Sequence, residues 1–355
     1  MRRSSPSLSV LALALSLLAG ACGGGDGGAS GITPITPVSP DSSPSPSPSP
    51  SPSPTPTSPA PAPSPTPTPG ATPTSWAGQA AALYDVPPDL ANCRAGTLKA
   101  SVTGDFLARL NALRALHNLP PVSYEPASDA EEAASALMMA VNKQLSHSPP
   151  SSWTCYSAGG ANGAGTSNLV GWWGTGTPFN SEDDFLGMWL NETTSDSIGH
   201  RRWILSPFLG RTSYGRVSAV MADGTRASTA SMRVTGFTGA LAAPAGIPPF
   251  VAYPYGDYPS RYFSTGSFLS FTAIANAGSS SANNAVSFAA AAVSVAGPSG
   301  ALAISDISYD NTGYGVPNSI QWHVAGLQPD VTYTVTITGV TGAPQTRYSY
   351  TFRII

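Results

Sequence analysis

The chain has 355 residues, only 10% of them charged, and a formal net charge of −3. So weak and balanced a charge excludes a nucleic-acid footprint and a polybasic membrane face. Its prolines concentrate near the N-terminus and separate a stretch that cannot build a core from about 280 residues beyond position 75 that can, enough for two domains.

In chain order, Arg2 and Arg3 precede an apolar run from Leu8 to Ala19 that is too short to span a bilayer and reads as a signal peptide. The run ends in Leu18-Ala19-Gly20-Ala21-Cys22, which resembles a bacterial lipobox. That resemblance implies that residues 1–22 are a lipoprotein-type leader and that Cys22 carries the lipid anchor. Ala19-Gly20-Ala21 also fits an ordinary signal-peptidase site, which would release a soluble protein. Residues 23–75 are glycines followed by Ser-Pro, Thr-Pro and Ala-Pro repeats. These lack the apolar residues that offset folding entropy, and they favour polyproline II, so about 40 of them reach roughly 100 Å as a semi-rigid spacer.

Cys93 and Cys155 remain beyond the leader. In an oxidising compartment an even pair most simply forms one disulfide, the alternative being two buried free thiols. Phe106, Leu110, Leu113 and Leu116 predict a helix over 103–118, with Thr103 as its cap and Pro120-Pro121 as its stop. A second helix is expected from Ser128, boxed with Glu131, its apolar face being Ala134, Leu137, Met138, Val141 and Leu145. The Gly-, Ser- and Asn-rich stretch that follows reads as loop. A third helix is expected at Ser181, with Glu182, Asp183 and Asp184 at the positive end of its dipole. Short strands are then expected at Trp203–Leu205, Arg216–Val220 and Ser231–Phe237. A Pro- and Gly-rich passage from Ala243 to Pro259 marks a boundary between residues 76–243 and 244–355. Beyond it Phe268–Ala275, Ala285–Val295, Ile320–Val324, Tyr333–Ile337 and Tyr348–Ile355 predict a β-sandwich.

The chain has four histidines, and two of them stand beside small residues at element ends, in Ser146-His147 and Gly199-His200. With Asn111-Ala112-Leu113-Arg114, Ser167-Asn168-Leu169, Trp189…Glu192 and Arg201-Arg202-Trp203-Ile204-Leu205, they follow the motif order of a known family. The run from Phe106 to Val217 resembles the CAP superfamily of cysteine-rich secretory proteins, venom antigens and pathogenesis-related proteins. Such an ordered set is far more specific than any single motif. The resemblance implies an α+β fold, a CAP-type α-β-α sandwich, with two histidines and two acids meeting in an open cleft. Here the first cleft glutamate of the family is replaced by Ser167, so the expected cleft is His147, Ser167, Glu192 and His200. His147 and His200 are the expected ligands of a divalent metal, zinc, with Glu192 orienting its water; the alternative is that the two histidines bridge elements through hydrogen bonds and hold no ligand. Ser167 near two histidines and an acid also has the parts of a hydrolase, but its surroundings lack a nucleophile elbow.

Six arginines between Arg201 and Arg233 are expected to be solvated strand residues pairing with the acids of Glu182–Asp196; the alternative is a rim for anionic lipid or glycan. Trp172, Trp173, Tyr253, Tyr255, Tyr258 and Tyr262 are expected to pack loops and an interdomain seam, the alternative being stacking on sugars. Leu327–Val335 resembles the tyrosine corner of fibronectin type III sandwiches, which implies an all-β, Ig-like second domain and no activity. The expected function is an exported, envelope-anchored CAP-domain protein that binds a lipid, glycan or protein ligand and meets the membrane through its lipid anchor. The alternatives are a metal-dependent hydrolase of peptide or wall material with Glu192 as base, and a non-catalytic adhesive surface protein. The lack of a His-Glu-x-x-His helix weighs against an enzyme.

Overall fold

The computed structural model describes residues 74–193, 195, 197–239 and 244–355; the leader, Cys22 and the proline-rich spacer lie outside the described residues. Helix α1 (Trp76–Ala82) starts where the Ser75 hydroxyl accepts from the Gly78 amide, and β1 (Tyr84–Val86) and β2 (Thr97–Leu98) follow as an antiparallel pair. Helix α2 (Ala100–Ala115) begins earlier than expected. Thr103 lies inside its first turn and donates to the Ala100 carbonyl instead of capping.

After β3 (Ser123–Tyr124) a 3-10 turn at Pro126–Ser128 leads into α3 (Asp129–Asn142). That turn leaves Ser128 in a right-handed conformation, from which its hydroxyl does not reach the α3 amides, so the expected capping box is not formed. Leu145 lies beyond the helix and is exposed. The glycine-rich stretch expected as loop is α4 (Ala158–Thr166) and β4 (Ser167–Gly174). Its glycines bring α4 against α3: a Cβ on Gly163 would stand 2.5 Å from the Glu131 carbonyl oxygen. Close packing here overrides the low helix propensity of glycine. The disulfide Cys93–Cys155 is formed and ties the segment between β1 and β2 to the approach to α4.

Helix α5 (Glu182–Asn191) carries a complete capping box between Ser181 and Asp184, with all three acids in its first turn. Residues Gly199–Ile204 form the short helix α6, so the strand expected from Trp203 is corrected. Then come β5 (Arg211–Thr212), parallel to β3, and β6 (Tyr214–Val220) and β7 (Arg226–Arg233). Strand β7 lies between β4 and β6 in an antiparallel sheet.

Alternation along β7 makes the layers. Ala227 packs under Ala136, Leu137 and Ala140 of α3, and Thr229 donates to the Ala136 carbonyl; Ala230 and Met232 join Phe106, Leu110, Phe185 and Trp189 of α2 and α5. One sheet thus separates two helical layers. Gly215 is required where β6 meets α3, because a Cβ there would fall 2.2 Å from the Glu132 carbonyl carbon.

The C-terminal part adds β8 (Phe250–Tyr253), β9 (Gly256–Tyr258), β10 (Leu269–Ala273), β11 (Ala292–Gly297), β12 (Gly300–Ala301), β13 (Ile304–Asp310), β14 (Ser319–Val324), β15 (Thr332–Thr338) and β16 (Arg347–Ile354). They form two sheets, β13-β14-β10-β8 and β12-β11-β15-β16-β9. The strand expected over Ala285–Val295 is shorter, starting at Ala292 after a 3-10 turn at Ser281–Ala285. The Tyr333 hydroxyl accepts from the Gln328 amide at 2.8 Å, the contact that the tyrosine-corner resemblance implies.

One core cluster runs from α2 and α5 into both sandwich sheets. His117, fully buried at the end of α2, joins them through the Ala252 carbonyl (2.8 Å) and the Tyr258 hydroxyl (3.0 Å), and burial pushes its imidazole down to about 4. Tyr253, Tyr258 and Tyr262 are buried in this seam, as expected, while Trp172 is half exposed.

Candidate functional site

Helix α6 carries His200 and is held at both ends. The Glu192 carboxylate, at the left-handed C-cap of α5, accepts from the His200 and Arg201 amides, both at 3.1 Å. These are first-turn donors with no partner inside the helix, and an anion suits them. At the other end the buried Arg114 guanidinium donates to the carbonyls of Ile204 (2.7 Å) and Ser206 (2.9 Å), and its Nε to Pro120 (3.1 Å). The Asn-x-x-Arg motif is therefore a fold element, and Asn111 makes the matching exchange with the backbone of Val122.

His200 Nδ1 lies 3.0 Å from Glu192 Oε1, and the His200 carbonyl accepts from Asn168 at 2.9 Å. His147 Nδ1 lies 2.8 Å from the Ala164 carbonyl, an end group of α4. A carboxylate and a carbonyl are acceptors, so each neutral imidazole carries its proton on Nδ1 and keeps its lone pair on Nε2. Neither Nε2 has a hydrogen-bond partner among the described residues. The two rings stand 6.3 Å apart, centre to centre. Both line a cavity of about 400 Å³ with Thr166, Ser167, Trp203 and Tyr314.

All four expected cleft residues line this cavity, but two of them do other work. The Ser167 hydroxyl donates to Glu132 Oε2 at 2.6 Å and bonds to neither imidazole, so no Ser-His-acid arrangement is formed among the described residues. Glu192 is a positioning group in this structure: its oxygens accept from the His200 and Arg201 amides, and Oε1 faces His200 Nδ1. Among the described residues no group of three or more His, Cys, Asp or Glu side chains is arranged to hold a metal.

Glu132 was not anticipated. It is completely buried, accepts also from Ser231, and has Arg233 3.5 Å from its other oxygen; burial pushes its carboxyl up to about 7. Its signal in the sequence is an acid on the same helical stripe as Ser135, Ala136 and Met139, all buried. The arginine expectation is corrected as well. Arg201, Arg202, Arg216 and Arg233 are buried, and of these, among the described residues, only Arg216 pairs with the predicted acidic stretch, through Glu182 at 2.5 Å. Arg201 instead donates to the Leu190 (2.6 Å) and Phe268 (2.7 Å) carbonyls and lies over the Tyr253 ring. Asp196 lies outside the described residues.

Residues 107–218 match the family model "CAP: Cysteine-rich secretory protein family". An extracellular protein containing an SCP domain from Bacillus anthracis aligns with 18% identity and a TM-score of 0.25, over 38% of this chain and 41% of that one. The chain thus spans well under half the length of that protein. No curated protein matches. The family match gives residues 107–218, the segment that carries all the cleft motifs, as a CAP domain of α+β fold, which an all-β sandwich follows.

Proposed function

We propose that this CAP-domain protein is exported, held at the cell envelope through a lipidated Cys22, and binds a ligand in the His147–His200 cleft. The observation that supports the cleft reading is the pair of imidazoles lining one cavity, each with Nδ1 fixed by an acceptor and Nε2 unpartnered. Metal-binding histidines carry just such partners on the ring nitrogen that faces away from the ion. His147 and His200 fit a divalent ion such as zinc as two ligands, its other positions being left to water or the ligand. When bound, the ion supplies a positive centre for a ligand oxygen. Glu192 fixes the orientation of His200, and its contacts to α6 weigh against the hydrolase alternative, in which it would serve as the base.

Calorimetric titration with zinc at neutral pH tests the cleft. The wild-type protein should bind, and His147→Ala and His200→Ala should each lose binding. Equal binding by all three would make the histidines purely structural. For the anchor, Cys22→Ala should move the protein from the membrane to the soluble fraction, whereas an unmodified N-terminal cysteine in the mature protein would remove the claim.

A further inference from the structure

A second cavity, of about 480 Å³, lies where α6 meets the sandwich; Tyr309, Asp310, Thr312 and Tyr314 line it from the sandwich side. It shares Ser197, Gly199 and Tyr314 with the histidine cleft, so the two spaces meet at Tyr314. Tyr314 sits in the connection between β13 and β14, and that connection is docked on the helix that carries His200. Arg202 of α6 pairs with Asp310 at one end of it and donates to the Val316 carbonyl at the other. Between them Gly315, at φ +64°, lies so close to α6 that a Cβ would fall 2.4 Å from the Arg202 carbonyl carbon. Tyr314 is therefore held at a fixed place relative to His200, although its own side chain is 61% exposed.

We propose that the two cavities are one groove, completed by the sandwich, and that it binds a neutral oligosaccharide running from the histidine cleft over Tyr314 to Tyr309. This deepens the cleft reading above and rests on it. Trp203 in the cleft, Tyr314 at the junction and Tyr309, 52% exposed, supply successive aromatic surfaces. A sugar ring presents a C–H face that packs on such a surface and hydroxyls at its edge that bond to short polar groups, here Ser197, Ser308 and Thr312. Charge argues for a neutral ligand. Among the described lining residues the one cation of the second cavity, Arg202, is paired with Asp310, and the Glu192 carboxylate in the cleft is engaged by α6. Beyond the ion proposed at the histidines, a phosphate headgroup would meet no unpaired arginine or lysine among the described lining residues of either cavity, so nothing along the groove from Tyr314 to Tyr309 draws an anion.

The test is calorimetric titration of the full chain with chitohexaose, cellohexaose and maltohexaose and the corresponding trisaccharides. At least one hexasaccharide should bind about tenfold or more tightly than its trisaccharide, because it reaches both cavities. Tyr314→Ala should cut that ratio to about threefold or less, and Tyr309→Ala should weaken the hexasaccharide by roughly tenfold. Both side chains are exposed, so neither change disturbs the core, and circular dichroism should confirm unchanged folds. His147→Ala separates the two readings. If it lowers sugar affinity while the tyrosine variants do not, the cleft binds alone and the groove is wrong. If only the tyrosine variants matter, the ligand stays on the sandwich and the groove is equally wrong. No binding of any of the three sugars overturns the oligosaccharide, while the zinc titration still decides the cleft.

Discussion

Replacing Glu132 by glutamine should make the protein's stability respond differently to pH. The wild-type carboxyl is completely buried, held by the Ser167 and Ser231 hydroxyls with Arg233 beyond them, and burial raises it from 4.5 to about 7. Glu131, on the same helix, adds a smaller push in the same direction. Between about 4.5 and 7 the folded chain holds a proton that the unfolded chain has released. The folded state therefore binds more protons in this window, and stability falls as pH rises through it. At 1.36 kcal/mol per pKa unit, the loss between pH 5 and pH 8 is about 2.5 kcal/mol. Glutamine keeps the shape and an acceptor for the hydroxyls but has no charge to bury. Any constant cost of the substitution cancels when two pH values are compared, as do the shared titrations of other groups. Urea unfolding followed by tryptophan fluorescence at pH 5 and pH 8 gives the number. The stability of Glu132→Gln relative to wild type should rise by about 2.5 kcal/mol from the lower to the higher pH. A difference that is the same at both pH values would refute the assignment of Glu132 as a buried acid.

His117 should act with the opposite sign. Its folded value near 4 lies below the ordinary 6.5, so the unfolded chain takes up the proton first and stability is lost as pH falls through that window. Against His117→Gln, the wild-type protein should lose about 2 kcal/mol between pH 7.5 and pH 5, and a flat comparison would count against the buried neutral imidazole. Reducing Cys93–Cys155, whose partners are 62 residues apart, should cost up to about 4 kcal/mol by loop entropy. Labelling of the denatured, unreduced chain should find no thiol at either position. Arg114→Met should destabilise by more than about 2 kcal/mol, because the carbonyls of Ile204, Ser206 and Pro120 would be left buried without their donor. If that variant unfolds at the wild-type urea concentration, Arg114 does not brace α6.

Much of this protein was legible in the order of its residues. Local chemistry sufficed where one side chain decides the outcome, as at Ser181, whose spacing to Asp184 makes the α5 cap. It sufficed too where a two-residue period persists, as in Thr332–Thr338, and where two cysteines had only each other beyond the leader. The motifs from Asn111 to Leu205 named the family, because spacing survives even where the role of each residue is unknown.

Tertiary structure alone decided what those residues do. Glycine propensity argued for a loop over 158–166, but glycine is what lets α4 lie against α3. Trp203-Ile204-Leu205 has the β-prone look of a strand, and a carboxylate from α5 and a guanidinium from α2 hold it as the end of a helix. Ser167 looked like a cleft hydroxyl because the acid it serves, Glu132, lies 35 positions away. The arginines looked solvated for the same reason: their partners, Asp310 and the Phe268 carbonyl among them, come from the far end of the chain. Sequence spacing reports neighbours along a helix or strand. Which charges are buried, and which imidazole nitrogen stays unpartnered, depends on segments that only the packed fold brings together.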